Sequence, residues 1–104
     1  MRRIFTFFLT FLLGVFVTAL YAQTHTVSGT VIDKDANEPL IGANVLIKGT
    51  TIGTVTDLDG KYTLQAGDKD ILVFSYLSMK TIEEPVNGRT VINVKMTSDT
   101  ETLG

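Results

Sequence analysis

Hydrophobic and polar residues alternate with a period of two over most of the chain after residue 23, as half-buried strands require. In "THTVSGTVID" (24–33), Val27, Gly29 and Val31 fall on one face. "KDANEP" then breaks the pattern, with Asn37 and Pro39 as turn residues. "LIGANVLIKG" sets Ala43, Val45 and Ile47 against the polar Asn44 and Lys48. "GTVTD" is a short run rich in β-branched residues, and "KYTLQA" opposes Tyr62 and Leu64 to Thr63 and Gln65. "DILVFSYL" is apolar on both faces, which predicts a central strand covered on both sides or one near the middle of a sandwich. "KTIEEPV" contains Pro85 and suits a sheet edge. In "RTVINVKM", Ile92, Val94 and Met96 point inward, and Val91, Asn93 and Lys95 point outward.

Asp59-Gly60 and Asn87-Gly88 are pairs that tolerate the positive φ angles of tight hairpin turns. No window after residue 23 has a helical period. Seven short strands with closely spaced turns predict an all-β, seven-stranded antiparallel β-sandwich. The final residues, 98–104, are polar and read as a tail or linker.

The first residues follow another rule. Arg2 and Arg3 precede an apolar run from Ile4 to Tyr21, and small residues follow it. Five of the six phenylalanines lie there. This layout predicts a secretory signal peptide at 1–22 with a cut between Ala22 and Gln23, or alternatively after Ala19. A membrane anchor competes, since a run of about 18 residues is near the lower limit for a spanning helix. Gly14 and the small, polar end of the segment favour cleavage. The absence of cysteine excludes a lipid-modified N-terminal cysteine and any disulfide.

Cleavage would leave residues 23–104 and remove both N-terminal arginines. Of nine basic residues, seven would then face eleven acidic ones, a formal charge of −4. Such a balance gives no reason to expect nucleic-acid binding.

Candidate chemistry concentrates in "GTTIGTVTDLDGKYTL" (49–64). A phosphate loop would open a helix and end in Gly-Lys-Ser/Thr, whereas here a strand follows and Lys61 comes after Asp-Gly. A calcium loop is the fairer rival, because Asp57 and Asp59 alternate before Gly60. The third acidic ligand and the later glutamate are missing. Turn formation explains the same residues: Asp accepts hydrogen bonds from turn N–H groups, while Thr and Val favour strand.

His25 is the single histidine, and it lies near the start of the domain. It cannot build a multi-histidine zinc site, and a Ser-His-Asp triad would have to use this one residue. Glu83 and Glu84 are strand neighbours that point to opposite faces and can guard an edge. Tyr62, Phe74 and Tyr76 fit core packing better than a ligand-stacking platform. No catalytic, cofactor-binding or metal-binding residue is therefore assigned, and no cofactor is expected.

A family resemblance is carried by Gly29 and Val31, Pro39-Leu40 with Gly42-Ala43, Gly49-Thr50, Gly53, Thr56-Asp57, Gly60, Tyr62 and Leu64. With "LVFSYLSMKT" and "NGRTVINVKM", this pattern resembles the carboxypeptidase-regulatory-like, transthyretin/prealbumin-like β-sandwich domain. It is most similar to the form at the N-terminus of SusC/RagA-type TonB-dependent outer-membrane receptors of Bacteroidetes, over about residues 26–97. One departure is at Ser78-Met79, where that family usually has Gly-Tyr.

The resemblance implies a non-enzymatic accessory domain, residues 23–97, at the periplasmic side of the outer membrane. Its partners would be periplasmic or outer-membrane envelope proteins of a nutrient uptake system for glycans or peptides. In such receptors a TonB-contacting segment, a plug and a large β-barrel follow this domain. The sequence ends at Gly104, so it is expected to be either part of a receptor or a detached module. A free-standing exported protein- or carbohydrate-binding module is the alternative. Transthyretin-like hydrolases use several histidines and an arginine, a set that a lone His25 does not match.

Overall fold

Strand β1 (Thr24–Asp33) is the hub of the first of two sheets. The computed structural model describes residues 23–99, so the expected signal peptide at 1–22 lies outside the described residues. The other strands are β2 (Glu38–Pro39), β3 (Asn44–Ile47), β4 (Gly53–Val55), β5 (Lys61–Gly67), β6 (Ile71–Ser75), β7 (Ile82–Pro85) and β8 (Val94–Met96). β5 pairs antiparallel with β1 from Thr24↔Gly67 to Thr30↔Lys61. β2 pairs antiparallel with Ile32 and Asp33. β8 runs parallel to β1, with Val31↔Val94 and Asp33↔Met96 in register. The second sheet has the order β4-β3-β6-β7, and all its pairs are antiparallel.

The inward faces match the alternation in the sequence. Val27 and Val31 of β1, Tyr62, Leu64 and Ala66 of β5, and Ile92, Val94 and Met96 supply one side of the core. Val45 and Ile47 of β3 with Leu72 and Phe74 of β6 supply the other, and Ala43 and Val86 close it. Tyr62 and Phe74 meet edge to face across the sandwich, with ring centroids 5.4 Å apart. Among the described residues every buried side-chain nitrogen and oxygen has a partner.

Four features differ from the pattern-based expectation. There are eight strands rather than seven, because "KDANEP" folds back into the two-residue β2. The Asp33 carboxylate accepts the N–H groups of Asp35 and Ala36, Asn37 takes a φ of 55°, and its N–H returns to the Asp33 carbonyl. The sandwich is not wholly antiparallel, because β8 runs alongside β1. Asp59-Gly60 and Asn87-Gly88 do form tight turns, but each carries the chain from the second sheet to the first instead of closing a hairpin. β6 sits between β3 and β7 as a central strand, yet only Leu72 and Phe74 are fully buried; Ile71 and Val73 on its outer face are half-buried.

The parallel contact has a particular cause. A parallel ladder would continue from Ser28 N–H→Thr90 O and Ile92 N–H→Ser28 O to a bond between Thr30 N–H and the Ile92 carbonyl. Instead the Asn93 side chain accepts Thr30 N–H at 2.9 Å, and the Tyr62 hydroxyl donates to the Ile92 carbonyl at 2.6 Å. That carbonyl lies over Gly29, where a Cβ would stand 1.9 Å from it. Glycine is the one residue that permits this approach.

Ser78, at the departure from the family pattern, has a φ of 65°. Glycine adopts such a left-handed backbone without the strain that serine carries. In this chain the neighbouring Met79 packs against the core and bridges to Ser98, and Asp99 N–H donates to the Ser78 carbonyl.

Gly29→Ala should fail to fold or lose about 3 kcal/mol or more in urea denaturation, since the clash is with backbone. Tyr62→Phe, which leaves the ring in place, should lose about 1–2 kcal/mol for the unpaired Ile92 carbonyl. Burial pushes the Tyr62 phenol up to about 12 from 10.0. Its contribution to stability is therefore complete below pH 10 and is lost as pH rises through 12, so alkaline unfolding should shift in the Phe variant.

Ser78→Gly should stabilise the domain by about 0.5 kcal/mol. It relieves roughly 1–2 kcal/mol of left-handed strain against roughly 0.5–1 kcal/mol for a looser unfolded chain. A melting temperature unchanged or lowered in that variant contradicts the account.

Candidate functional site

The glycine-, threonine- and aspartate-rich stretch 49–64 forms β4, a turn and the start of β5. Two of its polar side chains, Thr56 and Asp57, are committed to structure. Among the described residues, Thr56 is the one buried polar side chain. Its hydroxyl donates to the Leu40 carbonyl and accepts the Ala43 N–H at 2.9 Å. Its backbone pairs with Ala43 and Gly42, so one residue pins the 40–43 loop onto β4.

Asp57 caps the following turn. Its Oδ1 accepts the N–H groups of Asp59 and Lys61, both at 2.9 Å, and Gly60 takes a φ of 73°. These backbone hydrogen bonds, first that from Lys61 and then that from Asp59, hold its carboxyl below the usual value of 3.8. An oxygen engaged by two N–H groups is poorly placed to ligate calcium. No group of three or more potential metal ligands occurs among the described residues.

The other candidates are also engaged. His25 lies between the Arg89 carbonyl, 2.9 Å from Nε2, and the Asp68 carboxylate, 3.4 Å from Nδ1. No serine completes a triad with it in these contacts. Asp70 accepts the Gly67 N–H at 2.8 Å. Glu83 bonds Lys48 at 2.9 Å across the second sheet. Tyr62 and Phe74 are buried, and Tyr76 packs against the core.

What remains open is surface and strand edge. The outer face of β4-β3-β6 holds a depression of about 570 Å³ lined by Leu46, Gly53, Val55 and Val73, with Asn44, Thr51, Thr54 and Ser75 around them. A smaller one of about 250 Å³ lies over Gly29, Tyr62 and Asn93 and is more polar. The apolar depression was legible in one respect: Leu46 lies on the same strand face as the polar Asn44 and Lys48. Nothing in the local pattern tied Leu46 to Val55 and Val73, which are distant in sequence.

The fold defines the class of protein: an all-β domain of two packed sheets, without a helix among the described residues. The chain belongs to the CarboxypepD_reg-like domain family, whose model matches residues 27–104. It is 45% identical over 91 residues to the TonB-dependent receptor SusC of Bacteroides thetaiotaomicron, covering 86% of this chain and 9% of that protein. Two TonB-dependent receptors of Formosa agariphila are similar at 42% over 89 residues and 44% over 82 residues. The alignments cover 84% and 79% of this chain and 8% of each receptor. The chain thus spans less than a tenth of the length of these relatives.

Asp57 should titrate below 3.8 when followed by carboxyl NMR. A depressed folded value means that its contribution is present above the unfolded value and is lost as pH falls through the folded one. Asp57→Ala should therefore destabilise the domain at neutral pH and remove that part of the acid dependence. Millimolar calcium should leave the melting temperature of the unmodified chain unchanged; a rise would restore the metal-loop reading.

Proposed function

We propose that this chain is a non-enzymatic accessory domain of a SusC-like TonB-dependent uptake receptor. It works on the periplasmic side of the outer membrane, in a system that imports glycans or peptides. The observation that carries this reading is the 45% identity to SusC over most of the chain. Residues 1–22 serve as the signal peptide, residues 23–97 are the domain, and residues 98–104 are its polar tail or linker. The implied partners are envelope proteins of the uptake system. Nucleic acid is not among them on charge grounds, and no small-molecule cofactor is required.

The non-catalytic part of the reading is supported by the engagement of His25, Asp57 and Glu83 in local structure. A free-standing protein-binding module remains the second reading, since a binding surface serves either arrangement. A carbohydrate platform gains little support. Tyr62 and Phe74 face the core, and Tyr76 packs against it.

Expressed with a C-terminal tag in a Bacteroidetes host, the protein should be found in the envelope fraction, with a mature N-terminus at Gln23 by mass spectrometry. An uncleaved chain in the cytoplasm overturns the export assignment. Grafting residues 23–97 in place of the matching segment of the SusC relative should preserve growth on the nutrient which that receptor imports. Loss of growth, with the chimera present in the outer membrane at normal level, rejects the accessory role.

A further inference from the structure

The two edges of the second sheet are built differently. At one edge, β7 carries Glu83, Glu84 and Pro85, and Lys48 adds a cation on the neighbouring face. Charge and a missing N–H both oppose the docking of another strand. At the other edge, β4 is Gly53-Thr54-Val55, with no charge and no proline. An unprotected edge on a folded domain is a ready template for pairing.

The ladder fixes which groups of β4 face outward. Ile47 N–H bonds the Ile52 carbonyl, and Thr56 N–H bonds the Ala43 carbonyl. By antiparallel alternation Thr54 turns its backbone toward β3, while Gly53 and Val55 turn their N–H and C=O groups away from the sheet. No backbone partner for these four groups occurs among the described residues.

β5 also has an outer edge, but its surroundings differ. Lys61 is satisfied by Asp57, and Gly67 by Asp70. Its exposed face is polar, with Lys61, Thr63 and Gln65. Beside β4 the exposed face is apolar. Val55 is 55% exposed and Leu46 39%, and they line the depression with the half-buried Val73. Gly53 has no side chain, and a Cβ there would stand 2.6 Å from Leu46 Cδ1. A strand laid along β4 would therefore reach Leu46 directly over Gly53.

We propose that the β4 edge accepts a short, extended, uncharged segment of another protein as a fifth strand of the second sheet. Gly53 and Val55 supply the backbone hydrogen bonds. Apolar side chains on one face of the segment settle against Leu46 and Val55, which stand on β3 and β4 next to the edge. This is strand addition, in which the main chain gives affinity and alternate side-chain contacts give selectivity.

The size of the edge selects a segment over a second folded copy. A stable dimer buries about 1,200–2,000 Å² in all, which a three-residue edge does not provide without broad flanking contact. A linear segment needs no flanking surface. Charge selects its chemistry, because none of the residues lining the depression is ionisable. The inference rests on the reading of the domain as a binding module, and not on its assignment to a receptor.

The test uses isotope-labelled residues 23–104, which contain the whole core, and a capped seven-residue peptide alternating threonine and valine. At roughly millimolar peptide, the amides of Gly53 and Val55 should shift and exchange more slowly. The methyl groups of Leu46 and Val55 should shift with them. Val55→Glu alters an exposed side chain, so it should keep the fold and weaken binding at least tenfold. A peptide with proline at its centre should bind at least tenfold more weakly too.

Absence of shifts, or shifts centred on β5 or β7, overturns the proposal. Equal binding of the proline peptide overturns strand addition, since side-chain contact alone would then suffice. Concentration-dependent dimerisation without peptide, at the same residues, assigns the edge to a second copy instead. None of these results depends on where the protein is exported, so failure here is distinct from failure of the localisation and graft experiments.

Discussion

The contact of the Ile92 carbonyl with Gly29 and the Tyr62 hydroxyl holds the first sheet in its arrangement. It brings the segment before β8 onto β1 at a distance that any side chain at position 29 would prevent. It also ties three parts of the chain together: β1 through Gly29, β5 through Tyr62 and the final segment through Ile92. Because the Tyr62 ring meets Phe74 of the second sheet, the same residue sets the spacing between the two layers. The Asn93 amide repairs the ladder that this diversion interrupts. A backbone bond, a core aromatic and a surface side chain are thus parts of one arrangement.

Thr56 and Asp57 do a comparable task between the sheets. They stand next to each other, one buried and one exposed. The hydroxyl of the first holds the loop that leads into β3, and the carboxylate of the second holds the turn that leads into β5. Threonine suits the buried position because one hydroxyl can donate and accept at once. Aspartate suits the exposed one because its charge is strengthened by N–H donors yet remains hydrated. The composition that resembles a metal or phosphate loop is used for chain reversal.

Much of this was legible in the sequence, and the limits have physical reasons. A period of two reports which face is buried, and so Val27, Val31, Val45, Tyr62, Leu64, Ile92, Val94 and Met96 were placed inward correctly. It does not report which strand lies alongside, and so the parallel pairing of β8 was not apparent. Asp59-Gly60 and Asn87-Gly88 signal a reversal of direction, but a reversal within one sheet and a passage between sheets use the same backbone angles. β2 was missed because two residues cannot display alternation; the Asp33-to-Asn37 turn creates it. The open edge of β4 was hidden for a further reason, since freedom of its backbone groups is set by the absence of a neighbouring strand. The pattern that carries the family resemblance includes Gly29, Thr56, Asp57, Gly60 and Tyr62, whose roles in the structure are backbone geometry, turn hydrogen bonds and packing.

The parallel arrangement of β1 and β8 has a mechanical consequence. β1 enters the domain at Thr24, and Met96 lies beside Asp33 at the far end of this ten-residue strand. The start of β1 and the end of β8 therefore lie at opposite poles, roughly 30 Å apart at the usual rise per residue. Tension between those poles loads the bonds from Ser28 to Thr90 and Ile92, and from Lys34 to Met96, in shear and all together. A pair of strands joined by a hairpin and pulled at its free ends would instead open one bond at a time. A pull applied between Thr24 and Met96 would accordingly be resisted along the whole of that long strand.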